Sequence, residues 1–283
     1  MSARPLLDFV LVGPFKTGTS WMDVYLRELP GAALPRDVKE TFFFSQDSIH
    51  EQGPAWFDTL FADAPDAALR GEVGPSYFHS EAATARLHAL APDCRVICSF
   101  REPAARLHSF YLHLLQRGEI PAERRFLDVL DERPFLLETA RYGTHLARWQ
   151  ERFGRERVTV LAYEDLVEDR ERLIGELCAG IGLDPVAADK GSSERINESM
   201  MPADPRLSRA AYGLARRLRG GGHHRLVNLA KRSGVRRLLL RHYDERPSLS
   251  EEEREAVYAR LGGDLDLLDS LTERTFPWRA RGV

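Results

Sequence analysis

Residues 9–21 read FVLVGPFKTGTSW, and the succession of apolar, glycine and hydroxyl residues in this stretch decides how the chain is built. Phe9-Val10-Leu11-Val12 is a continuous apolar run, too short for a helix and ended by Gly13 and Pro14, which predicts a buried strand. From Thr19 the pattern turns helical as far as Glu28, where Pro30 and Gly31 stop it. Between strand and helix lie Lys16, Thr17, Gly18, Thr19 and Ser20. A glycine there lets backbone N–H groups close around oxygen atoms, and the hydroxyls add donors. The first helical turn supplies unpaired N–H groups and a positive dipole end. Together these make an anion cradle with Lys16 at its mouth. The competing reading is a plain strand-to-helix turn, since one glycine-rich match has little specificity.

Residue order separates this loop from the phosphate loop of nucleoside triphosphatases, where lysine follows the last glycine and precedes Ser or Thr. Here Lys16 comes before Gly18, so the loop is a related device with its lysine moved forward.

Composition narrows the class. With 283 residues, 43% hydrophobic and 29% charged, the chain can bury one sizeable core or two modest ones. A net charge of −3 argues against a dedicated nucleic-acid binder. The local arginine excess at Arg216, Arg217, Arg219 and Arg225 predicts a solvated basic face, with an anionic ligand as the alternative. Cys94, Cys98 and Cys178 make neither a disulfide framework nor a zinc-ligand spacing, which predicts a reducing compartment. No leader is read in Met1 to Pro5, and no apolar stretch approaches the roughly 18 residues of a membrane span. The expected location is the cytoplasm.

Further along, strands are predicted at Leu69–Val73, Arg95–Phe100 and Val158–Ala162. Helices are predicted from a Ser80 cap through Leu90, from Pro103, over Tyr142–Phe153, and from Glu168 to Ile181 before Gly182. This alternation predicts an α/β fold, a P-loop-like parallel β-sheet flanked by helices. From about Pro202 strands are expected to stop, leaving basic helices, a break at Gly220–Gly222 and an acidic helix from Ser250. The expectation is one domain over residues 1–283: an α/β nucleotide-binding core at 1–182 and a mainly helical part at 183–283. Open parallel sheets bind ligands at the carboxyl ends of their strands, where the Gly13 loop lies.

A second strand end supports the first. In CSFREPAARLHSFY, residues 98–111, Arg101 leaves the strand and Ser109 follows inside the next helix. That spacing lets a guanidinium and a hydroxyl converge on a second phosphate. Otherwise Arg101 is an ion-pair partner and Ser109 a small packing residue.

The pair of motifs, Lys16-Thr17-Gly18-Thr19-Ser20-Trp21 and Arg101-x7-Ser109, resembles the sulfotransferases that use 3′-phosphoadenosine 5′-phosphosulfate. GEVGPSYF (71–78), RYGTHLARW (141–149) and VTVLAYEDLVED (158–169) read like family text, and the resemblance runs from about Phe9 to Gly182. It implies that residues 16–20 cradle the 5′-phosphosulfate and that Arg101 and Ser109 hold the 3′-phosphate. It also sets Trp21 where cytosolic members stack an indole on adenine, a core tryptophan being the plain alternative. VKETFFF (38–44) is similar to the Lys-Glu-x-His-Phe-Phe segment of glycosaminoglycan and related bacterial members. That likeness implies Glu40 as catalytic base beside Lys39. Phe42 stands where that segment has histidine, so the histidine's role has no carrier at that position. The plain alternative for Lys39 and Glu40 is an exposed charged pair on a turn.

His79, just ahead of the Ser80 helix, is the rival base by its likeness to the catalytic histidine of cytosolic members. Its surroundings lack their threonine, leucine and proline. His145 is expected to be structural, and Ser76 and Tyr77 to border the pocket. No metal-ligand spacing occurs, which fits a metal-free donor mechanism with adenosine 3′,5′-bisphosphate as product. The expected activity is sulfuryl transfer to a hydroxyl, less readily an amine, of a carbohydrate or small-molecule natural product. Two other classes stay open: a small-molecule kinase, disfavoured by the lysine order and the missing magnesium aspartate, and a non-catalytic nucleotide-binding protein.

Overall fold

The computed structural model of the chain describes residues 4–188, 201–202, 204–220, 240–241 and 247–279. Its main sheet has five strands: β1 Phe9–Gly13, β2 Ala32–Ala33, β3 Leu69–Val73, β4 Arg95–Phe100 and β5 Val158–Ala162. They lie in the order β2-β3-β1-β4-β5 and all pairings are parallel. A parallel sheet is covered on both faces, so β1 reads as an unbroken apolar run. Its alternate residues serve different layers. Val10 and Val12, with Val96, Cys98 and Phe100 of β4, pack under α4 (Glu81–Leu90), α5 (Pro103–Gln116) and α8 (Tyr142–Phe153). Phe9 and Leu11, with Ile97 and Leu161, pack under α1 (Thr19–Glu28) and α10 (Arg170–Ile181).

The chain leaves β1 toward β2 and β3 on one side, then crosses to β4 on the other. The carboxyl end of β1 is therefore the point where strand order reverses, the place where open α/β sheets hold ligands. It brings the Gly13 loop beside the end of β4, because Gly13 pairs with Cys98.

Local signals explain most helix ends. Ser80 Oγ accepts from Ala83 N at 3.1 Å to start α4, and the Glu102 carboxylate caps α5 through Ala104 N and Ala105 N. The helix expected from Glu168 to Ile181 starts two residues later, at Arg170. Asp169 turns its carboxylate onto Arg172 N, 3.1 Å away, so α9 (Asp165–Glu168) ends before it and α10 begins after it. Four short helices carry too little periodicity to be read from sequence: α2 Asp47–His50, α3 Gly53–Thr59, α6 Phe126–Glu132 and α7 Pro134–Glu138.

Beyond residue 200, α11 spans Pro205–Gly220. The expectation that strands stop is corrected by β6 (Met201–Pro202), which pairs antiparallel with β7 (Leu240–Arg241); two residues each leave no pattern to read. Gly221, Gly222 and Arg225, of the expected break and basic face, lie outside the described residues. The acidic helix is α12, Glu251–Leu261, opened by a reciprocal Ser250/Glu253 capping box, and α13, Asp264–Leu271, follows it. Val257, Leu261, Leu265, Leu268, Phe276 and Trp278 join the apolar layer under α5 and α8. Cys98 lies inside β4, and none of the three buried cysteines is in a disulfide. Among the described residues no helix is long and apolar enough to cross a membrane.

Candidate active site

The turn after β1 is shaped by close approach. Gly13 has φ +91°, and a Cβ there would come within 2.8 Å of Pro75 Cα. Gly18, at φ +82°, caps α1, and a Cβ on it would press on Leu166 and Tyr163. Lys16 adopts φ +69° without being glycine, at a cost of about 1–2 kcal/mol that the surrounding structure must offset.

Side chains from the loop and β4 fix which way the loop faces. Arg101 Nη1 donates to Lys16 O at 3.4 Å, and Ser99 Oγ donates to Thr17 O at 3.0 Å. In a trans peptide the N–H points opposite to the C=O. The N–H groups of Thr17 and Gly18 therefore face away from β4, toward the start of α1. Thr17 is fully buried and its hydroxyl donates to Pro14 O at 2.7 Å, so it braces the turn from inside.

Lys39 arrives at this helix start from the segment after β2. Arg27, paired with Asp23 one turn before it on α1, donates to Pro35 O (3.0 Å) and Val38 O (2.7 Å). The segment is thus strapped along α1, and Lys39 Nζ donates to Thr19 Oγ1 and Ser20 Oγ, both at 3.1 Å. Each hydroxyl keeps its hydrogen for a further acceptor. An ammonium at a helix N-terminus runs against the dipole unless an anion joins it. Lys39 is held at this first turn rather than solvated on a turn, and Lys16 lies in the loop just before it.

Glu40 follows. Its Oε1 accepts from Ser76 N at 2.8 Å. The carboxyl lies deep among protein atoms yet keeps some accessible surface. Burial raises its pKa, opposed by the Ser76 hydrogen bonds and the Lys39 charge. The aromatic run after it acts as ballast: Phe43 and Phe44 are fully buried against Phe57, while Asp37 and Phe42 take left-handed backbone conformations.

A residue not singled out by sequence stands behind this pair. Glu72, fully buried on β3, accepts through Oε1 from Thr41 N (2.6 Å) and Tyr77 OH (2.9 Å). Thr41 is next to Glu40 and Tyr77 is next to Ser76, so one oxygen ties both segments that hold Glu40. Burial pushes the Glu72 pKa from 4.5 up to about 7, with the Glu40 charge adding to the rise. The signal was a carboxylate within a buried strand, a placement that always needs partners. Tyr77, expected to border a pocket, is instead fully buried on Glu72.

His79 sits between Phe15 and Phe135. Burial, followed by the nearby His145, Arg106 and Arg148, lowers its pKa from 6.5 to about 4. His145 is structural: its ring meets Glu138 O at 2.9 Å and Arg148 Nη2 at 3.0 Å.

Arg101 also lies over the Tyr163 ring, 4.5 Å from its centroid, with Tyr142 OH donating to the Arg101 carbonyl at 3.0 Å. Ser109 is 8% exposed on α5. Trp21, 5% exposed, is packed in the layer under α1: its ring stacks on Tyr25 and Arg170 lies over it. A recess of about 680 Å³, bordered by Arg95, Thr159, Gly180 and Arg274, lies away from the loop and shares none of these residues. Among the described residues no group of three or more His, Cys, Asp or Glu is placed to hold a metal ion.

The family model described as Sulfotransferase domain matches residues 6–200, which includes every residue of this cluster. The chain belongs to the sulfotransferase family. Among solved structures, a sulfotransferase from Alicyclobacillus acidocaldarius is 22% identical with a TM-score of 0.56, over 80% of this chain and 96% of that one. Sulfotransferase STF9 from Mycobacterium avium is 14% identical with a TM-score of 0.50, over 96% of this chain and 79% of that one. At these identities the likeness is one of fold: the parallel five-stranded sheet with its flanking helices. No curated protein sequence matches the chain.

Proposed function

We propose that this sulfotransferase moves the sulfuryl group of 3′-phosphoadenosine 5′-phosphosulfate to a hydroxyl of a carbohydrate or small-molecule natural product. The observation that carries the reading is the adjacency of Lys39 and Glu40. One side chain reaches the hydroxyls at the start of α1, and the next is a partly exposed carboxylate held by Ser76 N. A cation for the leaving phosphate and a base for the acceptor proton thus come from neighbouring residues.

The donor supplies an activated sulfuryl group and a phosphate leaving group. Around it, the outward N–H groups of the loop and the hydroxyls of Thr19 and Ser20 bind anionic oxygens. Lys16 and Lys39 offset the charge that grows as the bridging bond breaks, the interaction that raises turnover rather than affinity. Arg101 and Ser109 bind the 3′-phosphate. Glu40, its pKa raised by burial, takes the acceptor proton. His79, held neutral with a pKa near 4, is the weaker acceptor of the two.

The test is calorimetry with adenosine 3′,5′-bisphosphate and adenosine 5′-monophosphate, followed by an acceptor screen with labelled donor and without magnesium. Tighter binding of the bisphosphate, and label transfer to at least one hydroxylated acceptor, are expected. Equal affinities would remove Arg101 and Ser109 from the nucleotide site. Transfer that requires a nucleoside triphosphate and magnesium would replace this reading with a kinase.

A further inference from the structure

Charge is unevenly divided along the chain. Residues 205–243 contain 11 Lys and Arg, three His and no Asp or Glu, leaving 29 Lys and Arg against 43 Asp and Glu elsewhere. α11, at the head of this stretch, is an amphipathic helix. Its inner side is fastened to the end of α5. Ser208 is fully buried, Arg209 Nε donates to Gly118 O at 2.7 Å, and the Arg117 guanidinium lies 5.3 Å from the Tyr212 ring centroid. Leu207 and Leu214, seven positions apart and so on one face, are 55% and 59% exposed. Exposed Arg206 and Arg217 flank them.

We propose that this face of α11 docks the protein on an anionic lipid surface, with Leu207 and Leu214 entering the headgroup boundary and the arginines meeting lipid phosphates. The combination selects the partner. A second copy presenting the same face would bring Arg206 and Arg217 of an acid-free helix against their own copies, and like charges repel. A nucleic acid would satisfy the arginines but leave the leucines in water. An interfacial helix needs both, an exposed apolar strip with basic flanks, and gains affinity as the membrane becomes more acidic. Arg217, of the expected basic face, then meets lipid phosphate rather than solvent alone. Docking through α11 needs no membrane-spanning segment, and it leaves the loop after β1 untouched.

The experiment is co-sedimentation of the full chain with vesicles of phosphatidylcholine alone and of equal parts phosphatidylcholine and phosphatidylglycerol. It is run on the parent and on the double variant Leu207→Ser/Leu214→Ser, whose changes are at exposed positions. The parent should partition onto the acidic vesicles only, and less as salt is added. The double variant should bind those vesicles about tenfold more weakly or worse, with unchanged bisphosphate affinity. Three results overturn the proposal: no binding to acidic vesicles, equal binding by parent and double variant, or a concentration-dependent dimer in gel filtration that the leucine changes abolish. The last would assign the face to a second copy of the chain.

Discussion

Replacing Glu72 by glutamine removes a proton-binding group from the buried hub behind Glu40 while keeping its shape. The glutamine carbonyl can accept the same bonds from Thr41 N and Tyr77 OH. In the parent, burial raises the Glu72 pKa from 4.5 to about 7. Below 4.5 both the folded and the unfolded chain hold the proton, so the group is neutral to stability there. Between 4.5 and about 7 the unfolded chain releases the proton and the folded chain keeps it, so stability falls by about 1.4 kcal/mol per pH unit. Above that window both forms are ionised and the accumulated loss, about 3 kcal/mol, stays constant. Glutamine has nothing to release, so Glu72→Gln should lack this loss. The amide placed where Glu72 Oε2 now has no hydrogen-bond partner adds a cost, but one that is the same at every pH. Thermal melts of both proteins from pH 5 to pH 8 provide the comparison. The melting temperature of the variant, relative to the parent, should rise by roughly 6–12 °C across that range at about 2–4 °C per kcal/mol. Parallel curves would mean that Glu72 titrates normally in the folded protein, and the account of a desolvated hub would fail.

Glu40→Gln should lower turnover by roughly a hundredfold or more while bisphosphate affinity stays near the parent value, measured by initial rates and calorimetry. His79→Ala should keep most of the activity, and the acidic limb of the rate profile, above the ordinary carboxylate range, should be the same in it as in the parent; a dead but folded His79→Ala beside an active Glu40→Gln reverses the assignment. Lys39→Ala should reduce turnover far more than bisphosphate affinity, and a variant with weaker binding but normal turnover would contradict a role at the leaving phosphate. Arg101→Ala should weaken bisphosphate binding by about 2–3 kcal/mol, the worth of a charge-assisted contact, and an unchanged calorimetric constant would move the 3′-phosphate site elsewhere.

What could be read in advance follows from the range of the forces involved. Strands β1, β3, β4 and β5 are short apolar runs with turn residues at their ends, a local signal, and their positions agree with expectation. The loop residues and Arg101 lie at strand ends, so their meeting follows from topology alone. Lys39 is different. Its place on Thr19 and Ser20 depends on Arg27 reaching two carbonyls across an irregular segment, and no periodicity marks such a strap. Likewise, the motif position of Trp21 was plain, but only packing reveals a ring covered by Tyr25 and Arg170. The later start at Arg170 was a matter of competition: the expected helical run contained a residue, Asp169, whose side chain caps better than it propagates.

The grip of Asp264 on α8 has a consequence for where the protein can be cut. Its carboxylate accepts from Gly143 N and Thr144 N, each at 2.9 Å, and from Thr144 Oγ1 at 2.6 Å. A side chain at Gly143 would collide with the Asp264 carbonyl, 2.3 Å from its Cβ. On the other face of the sheet Arg274 pairs with Asp165 and Glu176. β5 is the outermost strand on that side, so the stretch from Asp264 to Arg274 wraps around its margin. A naked strand margin invites pairing with other chains, and native proteins shield such margins with a loop or helix. A chain shortened to the segment matched by the family model would shed that shield along with Phe276, which packs on Phe100. Insoluble material rather than a smaller working enzyme is the expected yield, and the tail is as much an aggregation guard as a fastening.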